Sequence, residues 1–502
     1  MTDDRAAARK EENRKDSKAA AVYLAGRTIG MLLLAVTQIV ANHLYDEIGF
    51  AYVVMVFTIY QTSIALGSLG LPDAVFYFIG RYPDRAGAIV RQTSALLLAA
   101  AMVVVPIALG AAIAVSHSDG KIDLIPALPW LAIVVLVELP TQPAVNQLIA
   151  HGYAAHASVL YAVFAAFQMA SGLVPAITGW SMTSIPIAMA IFGLTRLAAH
   201  LWILRRIYPM EPGQSWWVPK QIREIFYFSL PSGIAATVGK INPQIDKYAV
   251  QFVLGSEMVA LYGVAAFELP LVTMIPYAIG AVMQVRYVRL FASGEREQLK
   301  ELWYQTVEKT MILVVPLAVA IIVLAPDLIM LAYKPEYVVA SQPFQIFTLV
   351  LLHRVAAYGP MLQATNQQRL LVVSSAMIVI TNLAMQYPMI HIFGLNGSAI
   401  ATAFANAPAW IFVLSRIGYA LGGGVRVAMP WGFYARTLVV AGAVGGLLHF
   451  AHRWMTWHPG INLGVGLLAY AIVFVIAGRL TGVLKREDTA YLRRTVSFGL
   501  LR

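Results

Sequence analysis

The sequence is a succession of long apolar runs separated by short segments that carry most of its charge. Each run has about the 20 residues that a helix needs to cross a bilayer. In lipid such a run must satisfy its own backbone polar groups, which a helix does. Of 502 residues, 59% are hydrophobic and 12% charged, where a soluble domain carries about a quarter charged residues. The spacing predicts an all-α integral membrane protein with about fourteen transmembrane helices. They fall near 22–43, 51–71, 92–115, 125–149, 157–178, 184–206, 224–253, 258–284, 302–324, 341–362, 370–390, 396–419, 434–451 and 461–479.

Basic residues give the direction, because loops rich in Lys and Arg stay cytoplasmic. With an even number of crossings and the N-terminus inside, the outer loops hold only Lys121, Lys334 and Arg453. Both termini are therefore expected in the cytoplasm, with the chain in the cytoplasmic membrane. The net charge of +11 follows from this topology and argues against nucleic-acid binding. Trp130, Trp180, Trp216, Trp217, Trp303, Trp431, Trp454 and Trp457 lie near predicted helix ends, where indoles favour the interface; Trp202 and Trp410 do not. The absence of cysteine excludes disulfides and thiol chemistry. The first 20 residues are too polar for a signal peptide. No HExxH, P-loop or nucleophile-elbow pattern occurs, so neither enzyme chemistry nor ATP hydrolysis is expected.

The two halves resemble one another. Val104-Val105-Pro106-Ile107-Ala108-Leu109 lies 210 positions before Val314-Val315-Pro316-Leu317-Ala318-Val319, and Leu148-Ile149-Ala150 lies 214 before Leu362-Gln363-Ala364. The expected plan is a cytoplasmic basic tail (1–21), a first lobe of helices 1–6 (22–206), a linker (207–221), a second lobe of helices 7–12 (222–420), helices 13–14 (421–480) and a cytoplasmic tail (481–502). Paired repeats of this kind underlie alternating access in many transporters.

Charges at membrane depth are costly and usually face a protein interior or a wet cavity. Lys240, Lys247, Arg354, Arg27 and Arg196 are candidates for holding an anion, in that order. Arg27 and Arg196 have a second reading, in which they snorkel to the inner surface. Asp246, Glu268 and Glu138 are candidates for coupling to a proton or sodium ion; Glu138 and Glu268 could equally pair with a nearby lysine, and Asp246 with Lys247 or other charges between the lobes. Pro231, Gly239 and Pro243 in the seventh crossing mark an expected break or hinge, with an ordinary proline kink as the alternative.

Three segments resemble a known family. They are GFAYVVMVFTIYQTSIALGSLGLPDAVFYFIGR (49–81), FSLPSGIAATVGKINPQIDKYAVQFVLGSEMVALYGVA (228–265) and HIFGLNGSAIATAF (391–404). All three are similar to stretches of the polysaccharide-biosynthesis flippases, within the multidrug/oligosaccharidyl-lipid/polysaccharide exporter superfamily. The resemblance covers residues 22–420. It implies a two-lobed, V-shaped transporter with a cationic central cavity. Its cargo would be a polyprenyl-pyrophosphate-linked oligosaccharide, moved from the inner to the outer leaflet for O-antigen, capsule or exopolysaccharide synthesis. Membrane lipid, a polysaccharide polymerase and glycan-assembly proteins would be partners. No cofactor is expected beyond a coupling proton or sodium ion. The alternatives are a cation-coupled multidrug exporter of the same superfamily, a peptidoglycan-precursor flippase and a non-transporting scaffold.

Overall fold

A computed structural model describes residues 22, 26–210, 213, 215–266, 270–455 and 457–485, so both expected cytoplasmic tails and Glu268 lie outside the described residues, save the segment 481–485. Among the described residues every regular element is helical. Contacts divide the chain into two units, one ending at Ala260 and the other beginning at Leu261.

The first unit holds α1 (Gly26–Leu44), α2 (Glu47–Ser68), α3 (Leu71–Arg81), α4 (Ala86–Ser118), α5 (Leu128–Glu138), α6 (Ala144–Ala150), α7 (Ala154–Thr178), α8 (Ser184–Arg206) and α9 (Pro219–Leu254). A short helix, α10 (Ser256–Ala265), carries the chain onward. The second unit holds α11 (Pro270–Ala292), α12 (Arg296–Ala332), α13 (Ser341–Thr348), α14 (Tyr358–Ala364), α15 (Arg369–Phe393), α16 (Leu395–Ala420), α17 (Val425–Ala428), α18 (Trp431–His452) and α19 (Pro459–Leu480).

Eleven stretches among the described residues are long and apolar enough to cross a membrane. Three more expected crossings have identifiable reasons for falling short. The helix α9 carries Lys240, Asp246 and Lys247. The eighth crossing is shared between α10 and α11. The tenth is interrupted between α13 and α14 by a 3-10 turn, Leu349–Leu352, and by non-helical residues 353–357. Large apolar side chains are exposed along the helices, among them Met102, Val103 and Ile107 on α4 and Leu447, Ile472 and Ile476 on α18 and α19. Such outward faces suit lipid. The protein is a multi-pass membrane protein.

The repeat is visible in backbone detail. The helices α6 and α14 have seven residues each, and α7 and α15 have 25 each. Each short helix follows a 3-10 break, Leu139–Thr141 in the first unit and Leu349–Leu352 in the second. Each is followed by a residue with positive φ, Gly152 at 86° and Asn366 at 59°. Pro106 and Pro316 both lie inside long helices, α4 and α12.

Several expectations need correction. The linker 207–221 does not mark the division between units, because α9 packs along α2, α3 and α4. The second crossing is followed at once by a second helix: Leu69 and Gly70 both have positive φ, and α3 starts there with Pro72 in its first turn. Proline is tolerated at that position because the first-turn N–H has no helical partner. The seventh crossing is not broken, since α9 runs unbroken through Pro231 and Pro243. Trp303 is not an interfacial anchor. It lies two turns into α12, is 1% exposed, and donates its indole N–H to the Ala428 carbonyl at 2.8 Å.

Close helix contacts use three glycines of the family-like segments. A Cβ on Gly233 would lie 2.0 Å from the Leu69 carbonyl oxygen, and one on Gly70 would lie 2.8 Å from the Gly233 backbone. These glycines let the α2–α3 corner touch α9 backbone to backbone, as small residues do in membrane interfaces. Gly397 does the same for α15 and α16, where a Cβ would lie 1.9 Å from the Met389 carbonyl oxygen.

Candidate functional site

A cavity of about 230 Å³ lies within the first unit, walled by α1, α2, α7 and α9. Its polar wall is unusual for a membrane interior. Gln38 comes from α1, Gln61 from α2, Gln168 from α7, and Gln244 and Lys247 from α9. Phe50 and Phe57 on α2 contribute an aromatic side. Among the described residues no carboxylate lines it. The α2 residues recur at spacings of three and four (Phe50, Val53, Val54, Phe57, Gln61), which puts them on one helix face. Lys247 is half-buried and donates to the Gln244 side-chain oxygen at 3.3 Å. Among the described residues the side-chain amides of Gln61 and Gln168 have no protein hydrogen-bond partner.

Lys240 is exposed on the same helix. Positions 240, 244 and 247 are spaced i, i+4, i+7 and so share one face of α9, with the two lysine positions about 10 Å apart along the axis. The structure therefore aligns the two lysines and joins Lys247 to the cavity. Asp246, next in sequence, is 1% exposed and does not line it. Gly239 has open space where a Cβ would sit.

Arg196, a candidate for holding an anion, and Glu138, a candidate for ion coupling or for pairing with a lysine, are brought together. The Arg196 guanidinium reaches Oε2 of Glu138 at 2.7 Å, with the two side chains 13% and 7% exposed. The Tyr60 hydroxyl donates to the same oxygen, and the guanidinium sits 4.4 Å from the Phe164 ring centre. Gly193 makes room, since a Cβ there would lie 3.3 Å from Glu138 Cγ. This network ties α2, α5, α7 and α8 together and leaves little net charge. Arg27 is exposed near the start of α1. Arg354 belongs to the second unit, half-buried in the non-helical interruption before α14.

Two groups escaped the sequence reading. The cavity glutamines are uncharged, and a search for buried charge passes over them. Asp327 lay beyond the expected end of the ninth crossing, but α12 continues to Ala332. It is 1% exposed and bonds to His452 of α18 and, at 3.2 Å, to the Asn462 amide of α19. The two C-terminal helices are thereby fastened to α12.

The sequence profile of the polysaccharide biosynthesis protein family matches residues 17–287. A probable lipid II flippase MurJ of Rhizobium tropici is 22% identical over 299 residues, 55% of this chain and 54% of the relative. A probable low-salt glycan biosynthesis flippase, Agl15 of Haloferax volcanii, is 23% identical over 190 residues, 38% of this chain and 40% of the relative. The match thus spans about half the length of these relatives, or less. In fold, the chain is similar to lipid II flippase MurJ in an inward closed conformation (TM-score 0.68, 13% identity, 92% of this chain and 98% of the other). It is also similar to an inward-facing MATE multidrug transporter (TM-score 0.61, 17% identity, 80% and 98%). One fold thus serves proteins named for quite different cargoes, and it does not choose among them. The family profile covers more than half of the chain, and the protein belongs to the polysaccharide biosynthesis protein family.

Proposed function

We propose that the protein is a flippase for a polyprenyl-diphosphate-linked glycan, delivering it to the outer leaflet for O-antigen, capsule or exopolysaccharide synthesis. The observation that carries this reading is the composition of the first-unit cavity: one lysine and several amides, with no carboxylate among the described residues. An organic cation calls for negative charge or an aromatic cage. A diphosphate calls for cationic donors that offset its loss of water, and Lys240 and Lys247 supply two on one face of α9. The names of the sequence relatives, flippases for lipid II and for a glycan precursor, support the same cargo class. Alternating exposure of the site to the two leaflets would move the headgroup while the prenyl tail stays in lipid. A proton or sodium gradient would drive it, and both chain termini would face the cytoplasm.

The test is mass spectrometry of lipids from cells lacking the protein. Accumulation of a polyprenyl-diphosphate oligosaccharide is expected, relieved by the wild-type gene and not by Lys240→Ala/Lys247→Ala made and inserted at the same level. With glycan synthesis active and no second flippase present, absence of accumulation would move the assignment to a drug exporter.

A further inference from the structure

We propose that the amide-walled cavity of the first unit recognises the hydroxyl groups of one uncharged sugar residue of the cargo. This rests on the flippase reading and deepens it. A side-chain amide has two N–H donors and an acceptor oxygen, and a sugar hydroxyl both donates and accepts. Four glutamines on four helices therefore form a wall that matches a ring of hydroxyls in any rotation of each group. A phosphate has no hydrogen to give most of the time and would use only half of that wall. Gln61 is exposed and Gln168 half-buried, and their side-chain amides have no protein partner among the described residues, which leaves both available to a ligand.

Size points the same way. The cavity of about 230 Å³ is below the roughly 300–1,000 Å³ of drug-sized sites. It has room for one ring, not for an oligosaccharide with its diphosphate. Phe50 and Phe57 offer an apolar side for the C–H face of such a ring. Gln61 is exposed and so marks the open side. Lys247 lies on the α9 side, towards Lys240, and would meet the diphosphate end.

The experiment uses the full-length protein in lipid nanodiscs. The probes are a short-chain polyprenyl diphosphate, bare or carrying one glucose, galactose or N-acetylglucosamine. At least one glycosylated probe is expected to bind the wild type about tenfold tighter than the bare diphosphate, as one or two net hydrogen bonds would give. Gln61→Met/Gln168→Met should shrink that ratio to near one. Lys247→Met should weaken bare and glycosylated probes alike and keep the ratio. Should the methionine variant fail to insert, Gln61→Asn/Gln168→Asn, which withdraws each amide by one methylene, reads the same ratio. If all probes bind the wild type equally, or the preference survives in the glutamine variants, hydroxyl recognition is wrong while the flippase reading stands. If no diphosphate probe binds at all, both readings fall.

Discussion

Arg196 and Glu138 illustrate how differently a buried charge can behave once its partner is known. Removing one member of a buried pair leaves the other uncompensated, at a cost of about 3–5 kcal/mol, whereas replacing both is far milder. Arg196→Met or Glu138→Gln alone should therefore lower the unfolding temperature in detergent markedly, and the double variant should recover much of the loss. Equal damage from single and double variants would show that the pair does not act as a unit. Asp119, in the loop after α4, makes a different prediction. Partial burial pushes its carboxyl up, but the Ser256 N–H (2.6 Å) and hydroxyl (3.0 Å) and the Lys121 N–H (3.1 Å) and ammonium outweigh this, and the net shift is downward. A depressed folded pKa means the contact stabilises fully above the ordinary carboxylate value of about 4 and is lost as pH falls through the lower folded value. Acidification from pH 6 to 3 should loosen the α4–α10 junction in the wild type, and Asp119→Asn should lack that step, as read by hydrogen exchange at Ser256. Residues like these were half legible. Composition showed which side chains would be buried and charged, and nothing in the linear order showed that Arg196 faces Glu138, 58 positions away.

At the scale of elements, helix lengths were legible because apolar runs between basic loops have few ways to fold. Positions 184–206 and 396–419 agree with α8 and α16 to within a residue. The errors fell where helices bend or continue through polar residues: the α2–α3 corner, the interruptions before α6 and α14, and the far end of α12. Hydropathy averages over such places. The helix α9 erred in the opposite direction, since prolines at 231 and 243 predicted a break and the helix is continuous. Neighbouring helices can support a proline in a membrane helix, and α9 packs on three of them. Gly70, Gly233 and Gly397 turn out to be packing positions. Gly233→Ala should cost about 1–3 kcal/mol through overpacking against Leu69. Gly239→Ala, with open space around it, should be neutral or stabilising by up to about 1 kcal/mol. Thermal unfolding of the two variants side by side checks both. If Gly239→Ala stabilises but slows transport, α9 bends there in the working cycle; if neither changes, the hinge expectation for Gly239 is wrong.

For the whole molecule, the class, the approximate helix number and the repeat could be read from the sequence. Apart from Lys247 the cavity could not, because the rest of its wall is assembled from neutral residues on four helices far apart in the chain. The expected orientation is directly testable, since the protein has no cysteine of its own. Ser293→Cys, exposed between α11 and α12, should react with a membrane-impermeant maleimide only after the cells are opened. Ser181→Cys, exposed between α7 and α8, should react in intact spheroplasts. The reverse pattern would invert the topology and place the basic loops outside.

The matched interruptions before α6 and α14 also speak to descent. A segment copied in tandem would keep its useful irregularities longer than its side chains. Two positions after each short helix the halves hold different residues, Gly152 in one and Asn366 in the other, and both adopt positive φ. Those are the residues that most readily adopt that conformation. What the two halves share at this place is a bend in the main chain, and more than one amino acid can spell it.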